Sequence, residues 1–281
     1  MRSGAAARPG LDGQGFIARE GSLARVPHAF RPVVAAARDR TADIFGERLH
    51  SAYLYGSIPR GTARVGRSDL DLLIALREEP TMGDRAAAGA LDAALDGEFE
   101  QIDGSGTLLV SRAQVLSDFE RHDLGWFLAC LCTPLLGADL AGHLPRYRPD
   151  SLLARETNGD LAVCLPRWQR LIAEATAPGA PPGAVRVRVR GISRRIVRTG
   201  FTLVMPRWDG WTSDLYEMAE AFAAYYPEWG PRMREAAALG HEPTDDPAVL
   251  RSFLRSHVEE LGPWLVEEYT RVHGVKAARP G

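Results

Sequence analysis

Two aspartates separated by a single residue, Asp69 and Asp71, open the apolar run Leu72-Leu73-Ile74. Strand side chains repeat every second residue, so the two carboxylates are expected on one face of a strand. Carboxylates held side by side repel one another unless a cation lies between them, and hard oxygen ligands with open water positions suit magnesium or manganese. Upstream, Ser51-Ala-Tyr-Leu-Tyr55 has the residue types of a short buried strand and stops at Gly56-Ser57. Gly56 allows close approach of the backbone to a ligand. Ser57 offers a hydroxyl and an N–H at an expected helix N-terminus, where anions are favoured. A phosphate-binding turn beside a metal-binding carboxylate pair is what metal-assisted phosphoryl or nucleotidyl transfer requires.

Taken singly, each feature has an ordinary reading as a turn glycine, a helix-capping serine or a solvated acidic strand start. Together, Gly56-Ser57, Arg60-Gly61 and Asp69-x-Asp71 resemble the signature of the DNA polymerase β superfamily of nucleotidyltransferases, in the Gly-Ser-x-x-Arg-Gly form of its small bacterial members. The resemblance is close over about 26 residues. It implies an α+β catalytic domain in which Asp69 and Asp71 hold two magnesium ions. Gly56 and Ser57 would grip the phosphates of an NTP, ATP being the expected one, with Arg60 as an additional phosphate contact. It also implies a third carboxylate on a neighbouring strand. The segment 98–111 reads as that strand, interrupted by Gly104-Ser105-Gly106, and Asp103 is favoured over Glu100 as the third metal ligand or general base.

The elements that would position these residues follow from periodicity. A helix is expected from Pro27 to Phe45, closed by Gly46, and another over Ala86–Leu95, ended by Gly97. Ala113–Leu136 reads as a largely apolar helical stretch with His122 inside it, and 137–149 as a Gly- and Pro-rich loop. From Asp150 onward the pattern is helical throughout: Asp150–Thr176, Ala184–Met205, Asp214–Tyr225, Pro231–Leu239, Asp246–Leu261 and a last helix that Gly262-Pro263 begins and Gly274 ends. The expected organisation is a mobile arm over 1–26 with Phe16-Ile17 able to dock, a nucleotidyltransferase catalytic domain over 27–145, and a helical substrate domain over 146–281.

The chain of 281 residues has a formal net charge of −2, which argues against a polybasic nucleic-acid coat or membrane anchor. Its only lysine is Lys276, which excludes a P-loop lysine. Cys130, Cys132 and Cys164 form no CxxC pair and read as reduced thiols. With no signal-like apolar segment and no membrane-length run, the expected setting is the cytoplasm. Charge is unevenly placed. Residues 175–208 hold seven arginines and no acid, whereas 214–268 hold twelve acids and four arginines. Solvated helix faces account for exposed members of both groups. An arginine helix turned to a triphosphate is the alternative, with Arg194, Arg195 and Arg198 as the candidates. A helical domain following a polymerase-β-like one is similar to the aminoglycoside adenylyltransferases, and an acidic surface would favour a cationic small-molecule acceptor. RNA or protein acceptors, a catalytically degenerate nucleotide-binding protein and a purely structural helical protein are the other readings. Trp208, Trp211 and Tyr216 read either as stacking residues for a base or sugar or as packing.

Overall fold

The computed structural model describes residues 8–276, and these fall into two compact units. One runs from Ala18 to Tyr147. The other joins the stretch up to Ile17 to the chain from Arg148 onward. The α+β class stands: a mixed four-stranded sheet with helices, followed by helices alone.

In the first unit, α1 (Arg31–Phe45) ends where Gly46 turns the chain at φ 47. Then come β1 (Leu49–Tyr55), α2 (Ser57–Arg60), β2 (Leu70–Leu76), α3 (Met82–Glu98), β3 (Ser105–Ser111), α4 (Arg112–Leu116), α5 (Leu124–Trp126) and β4 (Thr133–Gly137). The sheet order is β3-β2-β1-β4, with β1 antiparallel to both neighbours and β2 parallel to β3. The central strand β2 is buried on both faces, as its unbroken apolar run requires. Leu70, Leu72, Ile74 and Leu76 join the core beneath α1 and α3, while Leu73 and Ala75 pack on the other face with Tyr53, Val110, Leu128 and Cys132.

Several sequence expectations are corrected here. Helix α3 begins at Met82 rather than Ala86, because Thr81 and Asp84 form a capping box: Thr81 Oγ1 accepts from the Asp84 N–H at 3.1 Å and Asp84 Oδ2 accepts from the Thr81 N–H at 2.7 Å. Gly97 lies inside that helix instead of ending it. Strand β3 begins only at Ser105, so 99–104 is a turn and neither Glu100 nor Asp103 is a strand residue. The expected helix over 113–136 is divided among α4, α5, a π-helical turn Phe127–Leu131 and β4. Pro134 explains the last change: it lacks an N–H, disfavours helix in the residue before it, and is tolerated on an edge strand, which β4 is.

The arm expected over 1–26 is corrected for residues 8–26; residues 1–7 lie outside the described ones. Ala18–Val26 crosses the sheet unit, with Glu20 N–H donating to Cys130 O and Ser22 N–H to Pro59 O, both at 3.0 Å. Residues 8–17 pair with the helical unit: Trp211 N–H donates to Pro9 O at 2.8 Å, and the Arg148 guanidinium lies 4.0 Å over the Phe16 ring.

The helical unit contains α6 (Ser151–Asn158), α7 (Leu161–Ala175), α8 (Ala184–Trp208), α9 (Leu215–Ala223), α10 (Gly230–His241), α11 (Pro247–Phe253), a π-helical segment Leu254–Leu261, and α12 (Gly262–His273). The single helix expected over 150–176 is broken at Gly159-Asp160. Asp150, Asp214 and Asp246 cap helix starts as their positions suggest, each accepting a backbone N–H from the first turn. Helix α8 is the hub: Ile192, Ile196, Val197, Phe201, Leu203, Val204 and Met205 are all buried. Among the described residues no helix is long and apolar enough to cross a membrane.

Candidate active site

Strand β1 delivers the chain to Gly56, which sits at φ 82, ψ −154, a conformation essentially restricted to glycine. The turn sends the backbone directly into α2, whose first residue is Ser57. Antiparallel pairing places Tyr55 opposite Asp71, so the glycine that follows Tyr55 lies against the carboxylate. A Cβ added to Gly56 would fall 2.3 Å from Asp71 Oδ2. The phosphate-type turn and the strand carboxylate thus meet at one corner of the sheet.

Asp71 occupies the face of β2 that carries Leu73 and Ala75, at the end where that apolar core gives way to half-buried residues. Tyr55, on the same face, stands edge-on to Phe127 with ring centroids 4.9 Å apart. Beneath lies Cys132, whose thiol is pushed well above its usual range by burial, with Asp71 among the smaller contributors. That cysteine is an inert core residue.

Asp69 lies one residue before β2, and the backbone on both sides of it is pinned. Asp103 N–H donates to Ser68 O at 3.0 Å, and Leu70 N–H donates to Gly104 O at 2.8 Å. Asp103 therefore fixes the approach to β2 through its main chain. Its side chain, like that of Glu100, is exposed, and among the described residues no three His, Cys, Asp or Glu side chains form a group able to hold a metal ion. The strand position beside Asp71 on β3 is Gly106.

The α2 turn is held from outside by the crossing segment. Arg60 pairs with Glu20 at 3.5 Å, and a Cβ on Gly21 would lie 3.0 Å from Pro59 Cβ and 2.4 Å from Thr133 Oγ1. This buttress carries no motif: Gly21 lies between the polar residues Glu20 and Ser22 and has no periodic pattern around it.

The arginines singled out on α8 belong to the helical unit, where Arg194 and Arg195 pair with its own groups. Arg194 Nε donates to Gly240 O at 3.0 Å, which satisfies a carbonyl near the end of α10. Arg195 forms an ion pair with Asp160, and Arg198 is exposed. The aromatic candidates are packing residues: Trp208 and Trp211 both stand edge-on to buried Phe201, and Tyr216 stacks on His241 at 4.6 Å. His122 meets Tyr147 edge-on.

Two carboxylates of hard oxygen character, one of them cradled against a glycine that admits no side chain, fit a magnesium or manganese ion with oxygen ligands from elsewhere. Comparison with known proteins bears on the same segment. No curated protein matches the sequence. A solved structure that resembles the chain is the spectinomycin adenyltransferase AAD(9) from Enterococcus faecialis, determined with ATP and spectinomycin. It shares 13% identity at a TM-score of 0.47, over 82% of this chain and 99% of that one. Residues 37–103 match the family model described as a nucleotidyltransferase domain, and that range runs from within α1 through the Gly56 turn and both aspartates. Over those residues the chain therefore matches a nucleotidyltransferase domain.

Proposed function

We propose that the protein transfers a nucleoside monophosphate from an NTP to an acceptor hydroxyl, releasing pyrophosphate, with a small molecule as acceptor and ATP as the nucleotide. The observation that carries the reading is the contact between Gly56 and Asp71, which puts an anion-binding turn and a metal-type carboxylate at one corner.

In this scheme Asp69 and Asp71 would hold the divalent ions. Bound there, the metal would neutralise phosphate charge and acidify the attacking hydroxyl. The chain's own contribution is positioning. Gly56 turns the backbone into α2 without a side chain that would displace Asp71, the Ser57 hydroxyl and N–H would donate to phosphate oxygens, and Arg60 adds positive charge held in place by Glu20. Pinning Asp69 through Ser68 and Leu70 holds the carboxylates ready without reorganisation, as electrostatic stabilisation of a transferring phosphoryl group requires. Asp103 and Glu100 have no part in the proposed chemistry as side chains. The arginines Arg194 and Arg195 are assigned to the helical unit's own structure. Cys130, Cys132 and Cys164 form no disulfide, which accords with a reducing cytoplasmic setting.

One observation favours a second reading. The absence of a three-carboxylate group among the described residues suits a nucleotide-binding protein with little or no turnover. Incubation with α-labelled NTPs, magnesium and separate pools of aminoglycosides, RNA and cell lysate distinguishes the two. Label on a small molecule supports the proposal, and nucleotide binding without pyrophosphate release supports the second reading.

A further inference from the structure

We infer that Gly106 sets the cation affinity of the site: by leaving the strand position beside Asp71 without a side chain, it makes the divalent ion's hold on the nucleotide-free protein weak. The inference rests on the reading of Asp69 and Asp71 as metal ligands.

The parallel register pairs Asp71 with Gly106 and Leu70 with Ser105. Side chains at paired positions of neighbouring strands project to the same face, and adjacent strands lie about 4.8 Å apart, so a residue at 106 would stand next to the Asp71 carboxylate. Nothing in the fold demands glycine there. A Cβ at 106 would meet no atom within 4 Å, and the backbone is not in the left-handed region. The contrast with Gly56 is sharp, because there both φ and the Asp71 carboxylate exclude any side chain. On β3 itself the register neighbours Ser105 and Thr107 face the other way, toward α3. Ser105 Oγ donates to Asp92 O at 2.9 Å and Thr107 Oγ1 donates to Asp92 Oδ1 at 2.7 Å. The row of side chains on the Asp71 face therefore has an open place, and no acid of the described residues completes a three-ligand group.

Two carboxylates suffice for a magnesium-type ion only when substrate phosphates supply further oxygens, since such ions keep several waters and dehydrate reluctantly. The nucleotide, on this account, supplies what position 106 withholds.

The test is a Mn2+ titration of the full-length protein, followed by calorimetry and by the electron paramagnetic resonance signal of free Mn2+. It is run without nucleotide and with a non-hydrolysable ATP analogue, with correction for Mn2+ held by the analogue in solution. Wild type is expected to bind Mn2+ at least about tenfold more tightly with the analogue than without it. Gly106→Asp is expected to tighten nucleotide-free binding by about tenfold or more, through a third negative charge beside Asp71. Gly106→Asn, of the same shape but neutral, should leave it unchanged. Equal wild-type affinity with and without the analogue, or equal affinity of the Asp and Asn variants, would overturn the inference. If melting curves show both variants unfolded, the wild-type comparison decides alone. Asp71→Asn separates the two levels. Unchanged Mn2+ binding with the analogue in that variant contradicts the functional reading itself. Weakened binding there, together with no gain from Gly106→Asp, contradicts only the role of Gly106.

Discussion

Asp71 Oδ2 occupies the place where a side chain on Gly56 would begin, 2.3 Å from the ideal Cβ position. The carboxylate and the turn are consequently packed together, and a side chain at position 56 would displace the carboxylate. Gly56→Ala should cost about 1–3 kcal/mol in stability from the backbone conformation alone. It should also lower nucleotidyl transfer by about 100-fold or more, because displacing a carboxylate by an ångström is enough for that. Thermal melting and a pyrophosphate-release assay check the two effects separately.

Arg194 and Arg195 have partners within the helical unit, the Gly240 carbonyl and the Asp160 carboxylate. Arg194→Gln and Arg195→Gln should each lower stability by about 1 kcal/mol, since each loses one part-buried polar contact, and should leave KM for the NTP unchanged. A rise in KM of tenfold or more in either variant would return these residues to the phosphate site.

Tyr53 is buried, and its hydroxyl accepts the Leu140 N–H at 2.8 Å while donating toward Ala138 O at 3.5 Å. Tyr53→Phe leaves a buried N–H unsatisfied and should cost about 1–3 kcal/mol. A shifted urea midpoint with an unchanged slope is the expected observation.

His257 and His273 are held below the ordinary histidine value of 6.5, in both cases chiefly by burial. For His257, the Arg232 carbonyl and the carboxylates of Glu235 and Glu260 work in the opposite direction, while the Arg232 charge adds to the lowering. The unfolded chain takes up these protons first. Their contribution to stability is therefore complete above about pH 6.5 and is lost as pH falls from there toward the folded-state values. Lowered carboxylates such as Asp84, Asp139 and Glu268 act further down, below about pH 4.5. Melting temperature should fall between pH 7 and pH 5, and His257→Gln should flatten that fall.

Much of the candidate site could be read from the chain because its features are local. Gly56-Ser57 and Asp69-x-Asp71 depend on a positive-φ turn and a strand start, and the caps Asp150, Asp214 and Asp246 depend on three or four residues each. What escaped notice depends on distant partners. Thr81 and Asp84 lengthen α3 by a capping box that lies ahead of the alanine-rich run from which the helix was expected. Pro134 sits in a strand only because β4 lies at the sheet edge. Residues 18–26 have no periodicity, and it is Pro59, Cys130 and Thr133 that hold them. Periodicity along one chain also could not show that Asp103 precedes β3 rather than lying in it, nor that the neighbour of Asp71 is Gly106, since register is a property of two strands.

The central claim is that Asp69 and Asp71 act together in nucleotidyl transfer, and it is tested most directly by metal-dependent pyrophosphate release from α-labelled ATP in Asp69→Asn and Asp71→Asn. The account predicts loss of at least about 1,000-fold in both variants, with melting temperatures at or above wild type because like charges have been removed. Turnover within about tenfold of wild type in either variant would contradict it.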